Sequence, residues 1–322
     1  MEGMKIYKRP KLKDPYLIVA WPGMGEVAFK AVSYLVDKLQ AVEFAEILSR
    51  EFFYLTGSIV QEGILSAPEL PEGKFYYYKN KAAKNDLIIF LSNAQPDLVK
   101  AEDYCAKILS FAKTFQVKTI ISIAAMPQPI DHTNAPNVWF AATAKELNDS
   151  LKKLNLNLLS AGHVSGMNGL FLGLAKKSGF DGFCLLAEIP LYTIQTGNPR
   201  ASLAVLEALH KILNIQIDFT SLIEQAHNME DEINKLFDYL KVVPSASSPI
   251  GEDDIEKIKK SLSQLTKLPF SIKEKIEKLF IQSKVDISSA NELKSELDKW
   301  NVYKEYEDRF LDLFKKQKGG NN

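Results

Sequence analysis

Short apolar segments alternate with helical patterns along the first 240 residues. The segments predict six strands, and most are continuous apolar runs, as expected for strands covered on both faces. They lie at residues 16–21, 42–48, 86–91, 117–124, 137–142 and 182–187. Apolar residues three and four positions apart predict helices at 26–39, 96–115, 169–177, 199–213 and 219–240. This alternation indicates an α/β fold, with a mostly parallel sheet covered by helices. Residues 56–79, rich in Gly, Pro and Tyr, predict an antiparallel excursion.

The remaining residues follow a different pattern. Two prolines and three serines between Val243 and Gly251 cannot continue a helix and predict a linker. Beyond the linker, helical spacing predicts three helices, at 252–267, at 271–283 and from Ser289 to about Lys318. We therefore expect an α/β domain at residues 1–241, a linker at 242–251 and a small all-α helical unit at 252–322.

Charge narrows the range of functions. The chain has 40 basic and 40 acidic residues, and this neutrality argues against a nucleic-acid partner, because phosphate binding needs an excess of Lys and Arg. No apolar segment reaches the roughly 18 residues of a transmembrane helix, and no apolar secretion segment is visible. Two cysteines cannot form a disulfide framework. We expect a cytoplasmic protein with no membrane partner.

The first predicted strand is followed by a glycine motif. Residues 23–28, Gly-Met-Gly-Glu-Val-Ala, match G-x-G-x-x-A, a pattern typical of dinucleotide sites at a helix start. Pro22 removes one N–H from this turn, and Glu26 places a carboxylate where a phosphate would lie. A tight strand-to-helix turn is the alternative interpretation.

Further polar residues follow the later strands, where α/β sheets bind ligands. The ligand-binding candidates are Gly23, Gly25, Asn93, Gln95, His132, His163, Ser165, Asn168 and Asn198. His132, between Asp131 and Thr133, is the candidate catalytic acid or base. Hydrogen bonding within the loops is the alternative, because neighbours in sequence seldom form a triad and no G-x-S-x-G motif is present. No metal-ligand spacing occurs, so we expect no metal and no cofactor.

Six short blocks, in order, resemble the proteasome-assembly-chaperone family over roughly residues 15–235. They are Leu17–Val27, Phe52–Tyr54, Asn93–Pro96, Met126–Thr133, Val164–Leu170, and Leu186–Pro190 with Asn198-Pro199. The resemblance implies a fold like that of purine nucleoside phosphorylases, and self-association or pairing with a related subunit. Eukaryotic members of the family work as heterodimers that help to assemble the proteasome α-ring. Glu26 stands where the family often has Asn.

Two functional hypotheses follow. The favoured one is a chaperone-like binding protein that acts through oligomeric and partner surfaces without catalysis, because no complete catalytic set is present. Under it, we expect a homo-oligomer and a protein partner, from a proteasome-like or other complex. The alternative is an enzyme or a nucleoside- or phosphate-binding protein that uses the cleft at the strand ends. There, His132 would be the acid or base and the glycine-loop amides would hold an anion.

Overall fold

The computed structural model describes residues 3–55, 57–154, 156–242, 276, 279–284, 286–299 and 302–315. The described residues belong to two compact units. The first comprises Met1–Pro190 with Thr196–Ile233, and the second comprises Leu191–Gln195 with Asn234–Asn322. Within these described parts, no helix combines the length and the apolar character needed to cross a membrane.

The first unit is built on a nine-stranded sheet with the order β1-β3-β6-β7-β2-β8-β11-β9-β10, and β4 and β5 form a separate hairpin. The strands are β1 (Met4–Ile6), β2 (Tyr16–Ala20), β3 (Val42–Ile47), β4 (Ile59–Gln61), β5 (Ile64–Ser66), β6 (Gly73–Tyr78), β7 (Leu87–Ser92), β8 (Thr119–Gln128), β9 (Val138–Ala142), β10 (Asn157–Leu158) and β11 (Asp181–Pro190). All six predicted strands are present.

The sheet is parallel at its centre and mixed overall. Strands β7, β2, β8 and β11 are neighbours and run parallel, and β9 and β10 also form a parallel pair. The β1–β3, β3–β6, β6–β7 and β9–β11 pairs are antiparallel. The α/β prediction is thus confirmed, and the antiparallel excursion corresponds to the β4–β5 hairpin and β6. The closer likeness to purine nucleoside phosphorylases stays a prediction.

Helices cover both faces of this sheet. They are α1 (Val27–Lys38), α2 (Ala101–Thr114), α3 (Lys145–Lys152), α4 (Gly166–Lys177) and α5 (Pro199–Leu213). Helix α6 (Thr220–Val242) follows them in the chain, and its residues from Asn234 onward belong to the second unit. Helix α1 contacts α5, and α2 contacts α4. Successive strand residues point to opposite faces of the sheet. Leu17 and Ile18 are both fully buried, so both faces are covered at β2. This double coverage explains why the central strands are apolar at nearly every position.

Aromatic side chains fill the core against α2 and α4. Phe75 lies 4.7 Å from Phe90 and 4.6 Å from Phe111, measured between ring centroids. Trp21 lies 5.4 Å from both Phe90 and Phe171. These tilted contacts add to the stabilisation from area burial. They also hold Trp21, the residue that leads out of β2, rigidly in place.

The second unit differs from its prediction. Instead of one helix from Ser289 to about Lys318, the structure has two, α7 (Ala290–Lys299) and α8 (Tyr303–Lys315). Between them, Val302 is buried and non-helical, and its N–H donates to the carbonyl of Leu297 at 3.0 Å. Residue 276 and residues 279–284 are helical, as predicted. The predicted helix at 252–267, and residues 243–251 of the predicted linker, lie outside the described residues.

Candidate functional site

Most of the predicted site residues lie at one edge of the first unit. The carboxyl ends of β7, β2, β8 and β11 meet there, because these strands are parallel. The N-terminal ends of α1 and α4 reach the same edge, because α1 follows β2 and the start of α4 bonds to Gln95 in the loop after β7. We call this the carboxyl edge, and its opposite, where the central strands begin, the amino edge.

The glycine motif forms a turn in which Gly25 is buried while Gly23 and Glu26 are exposed. Gly25 has a φ of 60°, in the left-handed region, and its carbonyl accepts a 2.8 Å hydrogen bond from the N–H of Asn198. A Cβ atom on Gly25 would lie 3.1 Å from Cδ1 of Ile189 and 3.5 Å from Cβ of Asn198. Protein atoms therefore occupy the space next to this glycine. Glu26, also at positive φ, pairs with Lys30 on the surface.

Two amide side chains bind the backbone just before this turn. Asn168 accepts from the N–H of Trp21 at 3.1 Å and donates through Nδ2 to the Trp21 carbonyl at 3.2 Å. Gln95 donates through Nε2 to the carbonyl of Pro22 at 2.7 Å, and its Oε1 accepts from the N–H of Met167 at 3.4 Å. These bonds tie the loop after β7 and the start of α4 to the loop after β2.

Two other candidates, Asn93 and Asn198, form hydrogen bonds with nearby backbone groups. Asn93 pairs with Glu72, accepting the Glu72 N–H through Oδ1 at 2.8 Å and donating its own N–H to the Glu72 carbonyl. Asn198 caps α5, because its Oδ1 accepts from the N–H of Ala201 at 2.9 Å. Each side chain thus satisfies a backbone donor at the carboxyl edge.

The histidine candidates lie in different environments. His132 is buried, and its Nδ1 lies 3.2 Å from Oδ1 of Asp131, which also accepts from the N–H and hydroxyl of Thr133. His163 is exposed on the loop before α4. Ser165 occupies the N-cap position of α4, without a side-chain capping bond. The hydrogen bonds above join Gly25, Gln95, Asn168 and Asn198 to one turn, while His132 is paired with Asp131.

Glu188 is a buried carboxylate that the sequence reasoning missed. Its Oε2 accepts from the N–H and Nδ2 of Asn137, at 3.1 Å and 2.8 Å, and its Oε1 accepts from Nε1 of Trp139 at 2.8 Å. These three bonds tie the end of β11 to the start of β9. The sequence contained a signal for this network, because a Glu within an apolar strand is buried and then needs hydrogen-bond donors around its carboxylate.

The described residues offer little redox or metal chemistry. Burial raises the pKa of Cys105 to about 12 and that of Cys184 to about 12, so both thiols are protonated near neutral pH. No group of three or more His, Cys, Asp or Glu side chains within the described ranges is placed to hold a metal ion.

The β4–β5 hairpin, which leaves the sheet at the carboxyl edge between β3 and β6, carries several exposed apolar side chains. Val60 is 63% exposed, Ile64 is 72% exposed and Leu65 is 69% exposed. The turn residues Glu62 and Gly63 both have positive φ, as a two-residue type I′ turn requires.

Comparisons with known proteins agree with this fold. A family model described as the PAC2 family matches residues 17–237. Uncharacterized protein MJ1210 of Methanocaldococcus jannaschii is 27% identical over 257 residues, which cover 77% of this chain and 93% of that protein.

Solved structures are also similar to this chain. PbaB of Pyrococcus furiosus, described as an archaeal proteasome activator, is 29% identical with a TM-score of 0.63, and the match covers 72% of this chain and 97% of PbaB. PbaA of the same organism, described as an archaeal homolog of proteasome-assembly chaperone, is 23% identical with a TM-score of 0.56. That match covers 72% of this chain and 96% of PbaA.

Proposed function

We propose, since this chain belongs to the PAC2 family, that it is a chaperone-like protein that binds proteasome components through its surface and without catalysis. Its similarity to PbaB, described as a proteasome activator, supports a proteasome partner. The observation that carries the proposal is the exposed β4–β5 hairpin.

The hairpin has the properties of a partner surface. A two-stranded hairpin is at best marginally stable in water, and covering its apolar side chains stabilises it. Val60 and Leu65 are cross-strand neighbours, so they present one continuous apolar face. Tyr54 and Leu55, on the preceding segment, are also exposed. A protein partner that buries these side chains gains hydrophobic free energy at this site.

The polar residues at the carboxyl edge have an architectural role, because they bind the backbone. The side chains of Gln95, Asn168 and Asn198 bond to backbone groups of the same unit. Ile189 and Asn198 fill the space beside Gly25. Polar groups used in this way stabilise the loops that frame the cleft, and this favours binding by surfaces over small-molecule chemistry.

Binding of the purified full chain to purified proteasome α-subunits, measured by biolayer interferometry, tests the proposal. We expect wild-type protein to bind, and the Val60→Glu/Leu65→Glu variant to lose at least about tenfold in affinity, because two carboxylates would be buried at the interface. Val42→Glu/Val99→Glu, which adds the same charge at exposed apolar positions outside the hairpin, is the matched control. Absence of wild-type binding would reject the proposed function, whereas equal binding by both variants would reject only the hairpin surface.

Self-association is the second part of the proposal. We expect the purified full chain to form a homo-oligomer, as the family resemblance implies. Size-exclusion chromatography with light scattering gives its mass directly. A mass equal to one chain, at concentrations up to roughly 100 µM, would contradict this part.

A further inference from the structure

A basic surface lies at the amino edge of the first unit, on two loops that precede β2 and β7. The loops are residues 8–14 and 79–86. Their basic residues are Lys8, Arg9, Lys11, Lys13, Lys79, Lys81 and Lys84, and all seven are exposed. The net charge of zero for the whole chain conceals this concentration of positive charge.

Asp86 fixes the two loops to each other. It is buried, and its carboxylate accepts from the N–H of Lys13 at 2.7 Å and from the N–H of Asn80 at 3.0 Å. Its own N–H donates to the Lys13 carbonyl at 3.0 Å. Both carboxylate oxygens accept from backbone amides. Asp86 therefore holds the two loops together through their backbones and not through their lysine side chains.

The end of α5 anchors the second loop. Asn80 donates through Nδ2 to the carbonyl of Leu213 at 2.9 Å, and Asn214 donates through Nδ2 to the carbonyl of Ala82 at 2.9 Å. None of these bonds uses a lysine side chain. The loops therefore present their positive charges from a fixed backbone, which lowers the entropy lost on binding.

The positive charges lack local counter-charges. Asp14 is the only exposed acidic residue within the two loops. Over the described part of the chain, no ion pair includes any of the seven basic side chains. At physiological ionic strength, charges interact over about 8 Å, so an anionic group must lie on this surface to gain from its positive charges.

We infer that this surface docks an acidic polypeptide segment, a run of Asp and Glu side chains in a partner protein. Six of the seven residues are lysines, which bind carboxylates as compact point charges. The first 240 residues carry 26 acidic and 24 basic residues, so a long polyanion would meet negative charge beyond the patch. A short acidic segment contacts only the positive patch and does not reach that negative charge. The inference does not rest on the proposed function, which uses the carboxyl edge.

Fluorescence anisotropy with the full chain and a labelled peptide of about twelve glutamates, at about 50 mM salt, tests this inference. We expect saturable binding that weakens at least about tenfold in Lys79→Gln/Lys81→Gln/Lys84→Gln and that falls steeply with added salt. Lys145→Gln/Lys152→Gln/Lys153→Gln removes the same charge from exposed positions elsewhere and is expected to change affinity by less than about twofold. Circular dichroism confirms that each variant is folded.

A single-stranded oligonucleotide of equal length forms the second arm. Peptide binding with the expected loss in the first variant alone supports the docking surface. Three results overturn it: no peptide binding, a loss below about tenfold or equal in both variants, or tighter binding of the oligonucleotide through the same lysines. The last result would assign the surface to nucleic acid.

Discussion

The side-chain amide of Asn168 pairs with the backbone of Trp21 through two hydrogen bonds, in the way that a neighbouring strand would. Oδ1 accepts the Trp21 N–H at 3.1 Å, and Nδ2 donates to the Trp21 carbonyl at 3.2 Å. Trp21 lies one residue beyond β2, where its ladder ends, and both residues are buried. Asn168 therefore satisfies two backbone groups that water cannot reach.

Asn168→Ala is expected to lower the free energy of unfolding by about 2–4 kcal/mol, because it leaves a buried N–H and a buried carbonyl unpaired. Urea unfolding followed by tryptophan fluorescence measures this loss. Asn134→Ala, at an exposed position on the loop after β8, is the control and should change stability by less than about 0.5 kcal/mol. Similar values for the two variants would contradict the structural role of Asn168.

Replacement by alanine should change the stability of the protein in opposite directions at two glycines. Gly25→Ala is expected to destabilise the protein by about 1–3 kcal/mol, because its φ of 60° and the nearby Ile189 side chain both oppose a Cβ. Gly173→Ala should stabilise it by about 0.5–1 kcal/mol, since Gly173 is exposed within α4 and a Cβ there meets open space. Thermal unfolding of both variants measures the signs, and equal signs would contradict this account of the turn.

Both cysteines should be unreactive in the native protein. Burial raises the pKa of Cys105 and of Cys184 to about 12, so at pH 8 only about one thiol in 10,000 is ionised. Ellman's reagent is expected to detect no rapidly reacting thiol in native protein and two in denaturant. A native thiol that reacts at the rate of an exposed cysteine would contradict this burial.

Asp218 should titrate below the ordinary range of an aspartate. Hydrogen bonds from the hydroxyl and N–H of Thr220 lower its pKa, the hydroxyl bond having the largest effect. Because the pKa is lower in the folded state, the resulting stability is present above about pH 4 and is lost as the pH falls through the folded pKa.

NMR titration of the Asp218 carboxyl measures this shift. Thr220→Val should move the midpoint upward and should destabilise the protein more at pH 6 than at pH 2. An unchanged midpoint would show that the hydroxyl has no part in the shift.

The strands and helices of the first unit were predictable because their signals are local. Continuous apolar runs such as residues 87–91 correspond to central strands, since helices cover both faces of the sheet. The family resemblance was equally local, carried by short blocks, and the family model confirms it. The last predicted helix was wrong, because helical spacing continues across Val302 although the chain breaks there to bury that side chain.

The candidate site was predictable in its position and not in its contacts. Most of the residues chosen at strand ends lie at the carboxyl edge, where α/β sheets bind ligands. Their hydrogen-bond partners were not predictable, nor was the network around Glu188, whose donors come from a strand about 50 positions away. Whether the candidates bind a ligand stays a prediction.

The sequence by itself determined the α/β class, the family, and the change of pattern near residue 241, because periodicity, composition and short motifs are properties of neighbouring residues. Only the tertiary structure decided that Asn168, 147 positions from Trp21, completes the end of β2. It alone brought seven basic residues from two separate loops to one edge and left the β4–β5 hairpin exposed. The physical reason is that charge, burial and hydrogen bonding depend on distances in space, which the folded sheet sets.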